Sequence, residues 1–295
     1  MKVNKLIAIA GLVLSVSLFA EEDNLETVTS AETTAAATSE AAVTTAPADS
    51  KIIGQIDIRP QWVPSTNAVN TDNTIEGGYQ FDADTSLSYN QEFSTNFSNP
   101  TANAGMDLKV LDGFLRTRLK NLLVNDNLSL SYENRVYLPT AASQRDRGLI
   151  TAIRNYATIS QKLNDTVSLT LQEIPVLYFY SQSGFGDEAN KGFENRIYLI
   201  ADINLAQDVS FSLPLLYYAT RYRSYATTAK YDDSWGHLLY TWPEITVRVH
   251  PNAELGFAYM SENFLTEGPA GAVNGVDIGS AFSNGTAQIV LRANL

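Results

Sequence analysis

The sequence predicts an all-β chain: a closed antiparallel transmembrane β-barrel of twelve strands. Three observations predict it. Apolar and polar residues alternate in segments of roughly 10 residues along most of positions 51–295, separated by turn residues. The connections between these segments are by turns short and long. The last stretch, AQIVLRANL (287–295), is itself such a segment, with Ala287, Ile289, Leu291, Ala293 and Leu295 on one face and Gln288, Val290, Arg292 and Asn294 on the other. A bilayer offers no water to unpaired backbone groups, so strands cross it only as a sheet closed on itself.

The N-terminus fits an exported protein. Lys2 and Lys5 precede the uncharged apolar run LIAIAGLVLSVSLFA (6–20), and Glu21, Glu22 and Asp23 follow it. Residues 1–20 are therefore expected to be a signal peptide cut after Ala20, although Leu18 is larger than the residue usually found three places before a cut. The run is short for a membrane helix, which needs roughly 20 apolar residues. Residues 21–50 carry seven acids, no base and no aromatic, and are dominated by Ala, Thr, Ser and Glu. Such a segment cannot bury a core, and a disordered acidic tail is expected, either a spacer or a strap for a partner. The chain has no cysteine, which excludes a lipidated N-terminal Cys and any disulfide framework. Its net charge of −12 argues against a nucleic-acid partner.

The barrel, residues 51–295, reads in order as follows. Residues 53–63 put Ile56, Ile58, Pro60 and Trp62 outward, with the proline suited to a sheet end. Residues 74–94 form one long strand or two short ones broken at Asp82-Ala83-Asp84; the broken form gives twelve strands, and ten follow if 53–63 is excluded. Residues 104–123 set Leu111, Leu115, Leu119 and Leu123 against Phe114, Arg116, Arg118 and Lys120. In 127–138, Leu128, Leu130, Tyr132, Val136 and Leu138 oppose Ser129, Ser131, Glu133, Arg135 and Tyr137. In 148–163, Leu149, Ile153, Ala157, Ile159 and Leu163 oppose Arg154, Tyr156, Ser160 and Lys162, and Asn164-Asp165 makes a tight turn. Residues 166–180 resume with Val167, Leu169 and Leu171 outward; the pattern slips at Glu173-Ile174-Pro175, where a β-bulge is expected. Pairs at 193–205 and 208–222, then 235–250 and 253–263, precede the terminal strand 285–295.

Connections near 124–127, 164–165, 206–208 and 250–252 are short, whereas 139–147, 181–194, 220–234 and 264–284 are long. Short turns belong on the periplasmic side and long loops outside. Tyr137, Tyr178, Phe179, Tyr180, Tyr217, Tyr218, Trp235 and Tyr259 gather at the long-loop ends, as an interfacial aromatic girdle would.

On this register the pore-lining candidates are Arg59, Arg116, Arg118, Lys120, Arg135, Arg154, Arg196, Arg248 and Arg292, with Glu133 and Glu244 among the opposing acids. Two readings stay open. Inward bases can guide small anionic solutes through a channel, since charged linings set pore selectivity. Equally, Arg and Glu can pair across strands and fill a narrow lumen, leaving a closed structural barrel, or one whose loops recognise surfaces through aromatic and basic residues such as Tyr222, Tyr225, Tyr231 and Trp235. A twelve-stranded barrel is narrower than the 16–18-stranded type that holds an obvious aqueous channel.

This architecture resembles bacterial outer-membrane porin-type barrels across residues 51–295, by pattern and not by a motif. In size and inward bases it is weakly similar to the twelve-stranded channels for acidic oligosaccharides. The resemblance implies a bacterial outer-membrane location, a transport role for small solutes, contact with outer-membrane lipid and insertion by the barrel-assembly machinery. The terminal aromatic usual in such barrels is replaced by Leu295.

An enzyme is not expected. His250 sits beside Pro251 in a turn, and His237 faces lipid near the outer rim, where an outer-membrane lipid hydrolase would place its base. That family couples its histidine to a Ser-Asn-Gly string; Ser283, Asn284 and Gly285 occur here without a histidine before them. The Asp-x-His pairing of barrel proteases is absent. No metal-ligand spacing or phosphate loop is present, and no cofactor is expected.

Overall fold

A computed structural model describes residues 51–63, 68–96, 107–125, 127–225, 235–261, 263–267, 273–283 and 285–294. The expected signal peptide, acidic tail, Leu295 and most of the 220–234 loop lie outside these residues. The strands are β1 (Ile52–Val63), β2 (Ala68–Gln80), β3 (Thr85–Asn96), β4 (Asp107–Val124), β5 (Leu128–Leu138) and β6 (Leu149–Lys162). Then follow β7 (Val167–Tyr180), β8 (Lys191–Ala206), β9 (Val209–Tyr222), β10 (in two segments, Trp235–Thr241 and Glu244–His250), β11 (Ala253–Met260) and β12 (Thr286–Asn294). Each pairs antiparallel with its neighbours in sequence, and β12 returns to β1 with Gln55 opposite Asn294 and Trp62 opposite Ala287. The sheet is closed, with twelve staves. The chain breaks between β2 and β3 at residues 81–84, which selects the two-strand reading of that region.

The interruption in β10 falls at Trp242-Pro243, opposite Pro214 and Leu213 of β9. Proline has no N–H for the ladder. Both segments keep one register against β9, so the stave is locally unpaired but not shifted.

Lipid demands an apolar outer wall, and the exposed residues supply it: Ile58, Trp62, Leu199, Leu213, Ile289 and Leu291 all point outward and are solvent-exposed. An apolar patch of this extent on a soluble monomer would be anomalous. Short turns lie at one end. In the β6–β7 turn Asn164 Oδ1 accepts the backbone N–H groups of Thr166 and Val167 at 2.8 and 2.9 Å, closing a compact reversal. Beside it Lys162 Nζ donates to Asp165 at 2.7 Å and holds that exposed carboxyl below its usual range. At the opposite end the longer loops carry two short helices, α1 (Ala142–Asp146) and α2 (Ile278–Ser283).

Two local expectations are corrected. There is no bulge at Glu173-Ile174-Pro175: β7 keeps one register against β8 throughout, and β6–β7 merely lacks pairing at two positions beside Pro175. The apparent slip comes from a reversal of polarity. Glu173 is on the outer wall, while Ile174 and Val176, 1% and 0% exposed, lie in the lumen. The aromatic cluster also divides by parity. Phe179, Tyr217, Trp235 and Tyr259 form an outer girdle, but Tyr137, Tyr178, Tyr180 and Tyr218 turn inward.

Candidate functional site: the charged lumen

Arg116, Arg135 and Arg154 are cross-strand neighbours on β4, β5 and β6, so register alone stacks three guanidinium side chains in one row across the inner wall. Glu133 is the hub beneath them. It accepts from Arg118 Nε at 2.7 Å and from Arg135, and Arg116 approaches it to 3.9 Å. Arg116 also bonds Glu76 of β2. Arg135 lies over the rings of Phe114 (4.9 Å) and Tyr156 (4.2 Å). Arg154 differs from the other two. Its guanidinium sits 4.1 Å over the Tyr137 ring and among the described residues has no carboxylate within 4 Å, Glu92 and Glu194 acting on it only through space; its Nε, like that of Arg116, is buried without a hydrogen-bond partner.

A second group continues on β7–β9. Glu194, fully buried, takes Arg196 from its own strand, Lys191 Nζ at 3.5 Å and the Tyr178 hydroxyl at 3.2 Å. Arg196 in turn donates to Tyr218 Oη at 3.1 Å and lies over that ring. Tyr198 packs edge-on against Trp242, with ring centroids 5.7 Å apart. With Tyr156, Ile174, Val176, Ile200 and Leu216 these rings make a packed apolar mass inside the barrel, against which the arginines are held.

The third group closes the seam between first and last strands. Arg59 pairs Asp57 at 2.9 Å, and Arg292 reaches Glu244 at 3.1 Å, Asp57 at 3.6 Å and Glu254 at 3.7 Å. Gly256 makes room here: a Cβ on it would lie 2.9 Å from Glu244 Oε1 and 3.2 Å from Val290. Arg248, 4.0 Å from Glu254 and a third exposed, and Lys120, whose backbone N–H donates to Asp84 beyond the end of β3, lie toward the short-turn mouth and outside the central row. Toward that mouth the inner wall is of small hydroxyl residues, Ser129, Thr158, Ser160, Ser168, Thr170, Ser210 and Ser212.

No protein-family model matches this chain, and no curated relative does. Solved structures do. The NanC porin is 14% identical, with a TM-score of 0.52 over 81% of this chain and 100% of its own. The COG4313 outer membrane channel from Pseudomonas putida F1 is 13% identical, with a TM-score of 0.57 over 85% of this chain and 99% of its own. The fold is that of a porin-type outer-membrane channel. What this barrel shares with those two is the closed sheet itself, over nearly the whole length of each.

Within the porin-type barrel, the register brings Arg116, Arg118, Arg135, Arg154 and Glu133 into one cluster and Arg59, Arg292 and Glu244 into another, with Arg196 in a third. Sequence reasoning placed Tyr137 and Tyr156 on the inner face but missed Glu76, Glu194 and the luminal face of Tyr178, Tyr180 and Tyr218. Glu194 was available by parity, standing two residues before inward Arg196 on one strand. Glu76 was not, because its place depends on where β2 begins.

Proposed function

We propose that this protein is a narrow outer-membrane channel for small anionic solutes, in which the Arg116–Arg135–Arg154 row forms the selective constriction. One observation carries the reading: Arg154 is a luminal guanidinium held on a tyrosine face with no carboxylate in salt-bridge contact, Glu92 and Glu194 acting on it only through space, so it keeps more of its field than its paired neighbours. The row has further cations in Arg118 and Arg196, and the carboxylates Glu76, Glu133 and Glu194 each meet at least one arginine. The matched structures, a porin and an outer membrane channel, support transport as the role. The solute class rests on the arginine row alone. Outer-membrane lipid and the barrel-assembly machinery are the proposed partners.

Planar-bilayer recording in a salt gradient tests this. The wild type should conduct with a reversal potential of anion-selective sign, and Arg154→Gln should move that potential toward zero while the barrel stays folded. A second reading is favoured by the burial of Ile174, Val176 and Tyr198: the centre is a plug and the barrel is structural. Absence of any wild-type conductance would decide for it.

We propose transport rather than lipid hydrolysis for a specific reason. His237, on the outer wall, uses Nδ1 on the Tyr217 hydroxyl at 2.8 Å, and its ring runs nearly parallel to those of Tyr217 and Trp235. That is a girdle contact. A nucleophile needs a base within hydrogen-bond reach, and the partner of this histidine is a phenol.

A further inference from the structure

Midway along β5–β8 the outer wall is locally polar. The lumen there holds Ile174, Val176, Tyr198 and Ile200 among Arg154, Glu194 and Arg196, while the outer wall carries Asn134, Glu173 and Asn195, with Asn155, 7% exposed, lying beneath Asn134 and Tyr132. These four are one patch. Asn134 faces Asn155 across β5–β6 and donates to its Oδ1 at 2.8 Å; Tyr132 Oη donates to the same oxygen at 2.6 Å. Asn195 Nδ2 donates to Glu173 Oε1 at 3.2 Å. Glu173 is exposed, and stands six residues short of the girdle residue Phe179 on the same strand. Along a tilted strand that is on the order of 15 Å below the interface, in the hydrocarbon. Leu130, Ile159, Leu171 and Leu199 line the next outward row on one side, and Val136, Ile153, Leu177 and Phe193 the row on the other.

A carboxylate and three carboxamides between apolar rows make a poor surface for acyl chains, which can neither donate nor accept. Polar side chains on a lipid-side wall instead join walls together, and small residues let the walls approach. Ala157 and Ala219 lie in the same rows. The chemistry also names the partner. Carboxamides both donate and accept, and Glu173 needs donors, so the patch complements itself: Glu173 of one copy can take the amide groups of another. A self-complementary patch is what a two-fold interface requires. We propose that the outer wall of β5–β8, centred on Asn134, Ala157 and Glu173, is the interface with a second copy of this chain in the membrane.

The full chain has no cysteine, so single replacements report proximity cleanly. Ala157→Cys lies at the proposed centre, and Ile289→Cys, exposed on β12, lies on another part of the wall. On oxidation in the membrane, A157C should give a disulfide-linked dimer at least about tenfold above I289C, the scale of a few intramembrane hydrogen bonds. Adding Glu173→Leu and Asn134→Leu should remove that dimer while the heat-dependent gel shift of a folded barrel persists. Equal cross-linking at both sites would overturn the proposal, as would a dimer that survives E173L/N134L. So would a heterologous cross-linked partner in place of the dimer. If the wall meets lipid instead, E173L alone should raise the urea midpoint and leave the protein monomeric in native mass spectrometry, which also overturns it. None of these readouts depends on conductance.

Discussion

Glu133→Gln removes one negative charge from a point where three guanidinium groups converge. Arg118 and Arg135 both donate to this carboxylate, and Arg116 lies 3.9 Å away. Arg116 keeps Glu76, but Glu133 is the carboxylate to which Arg135 bonds. Removing one partner of a buried pair costs about 3–5 kcal/mol, because the other charge stays buried and uncompensated. The side chains are 15% (Glu133) and 18% (Arg135) exposed, and Arg135 retains its stacking on Phe114 and Tyr156, so the lower end, about 3 kcal/mol, is expected. Urea unfolding of the folded barrel in lipid vesicles, followed by tryptophan fluorescence, measures it. The double variant E133Q/R135Q should recover about 1–2 kcal/mol of the loss, since it removes the orphaned charge along with its partner. A second readout is electrical: one fewer luminal carboxylate should increase anion preference in E133Q. A stability change within about 0.5 kcal/mol of wild type, with no coupling to Arg135, would refute the hub and with it the ordering of the arginine row.

Three further outcomes follow from the same register. Leu199→Arg and Leu213→Arg, on the outer wall near mid-membrane, should each cost roughly 2–4 kcal/mol, whereas Ser129→Arg and Ser168→Arg, on the inner wall, should cost much less; equal tolerance at both sets would overturn the assignment of faces. Tyr198→Ala and Trp242→Ala dismantle the luminal edge-to-face pair and should each cost about 3–5 kcal/mol. Both should raise single-channel conductance, and an unchanged conductance would place the narrowest point elsewhere. Gly256→Val should displace the Glu244 carboxylate from Arg292 and lower the urea midpoint more than Gly77→Val, where a Cβ would meet nothing within 4 Å.

The strand count and most of the outer wall were legible in the sequence because lipid imposes one simple demand on alternate residues. Where the protein departs from that demand, the reading departs with it. At Glu173-Ile174-Pro175 an inverted polarity imitates a slipped phase, and proline offers a plausible cause. Only pairing along β7–β8, unbroken from Phe193–Leu177 to Ile203–Val167, separates inversion from insertion. Tyrosine is ambiguous for a different reason. A ring with a hydroxyl suits both a membrane interface and a polar lumen, so clustering near the long loops says little, whereas parity with Ser168 and Thr170 sends Tyr178 and Tyr180 inward and Phe179 out. Ion-pair partners lie further still from sequence. Arg116 and Glu76 are 40 residues apart, and their meeting depends on the four-residue break at 81–84 and on the register shift between Gln91 and Phe93. Moving either strand by one residue would turn one of the two side chains to lipid. The inward bases were therefore readable as a set, one strand at a time, but which of them lacks a salt bridge was not. That property belongs to Arg154 because Val176, not an acid, stands opposite it on β7 and holds Glu194 one strand further along the row, and the proposed selectivity turns on that spacing.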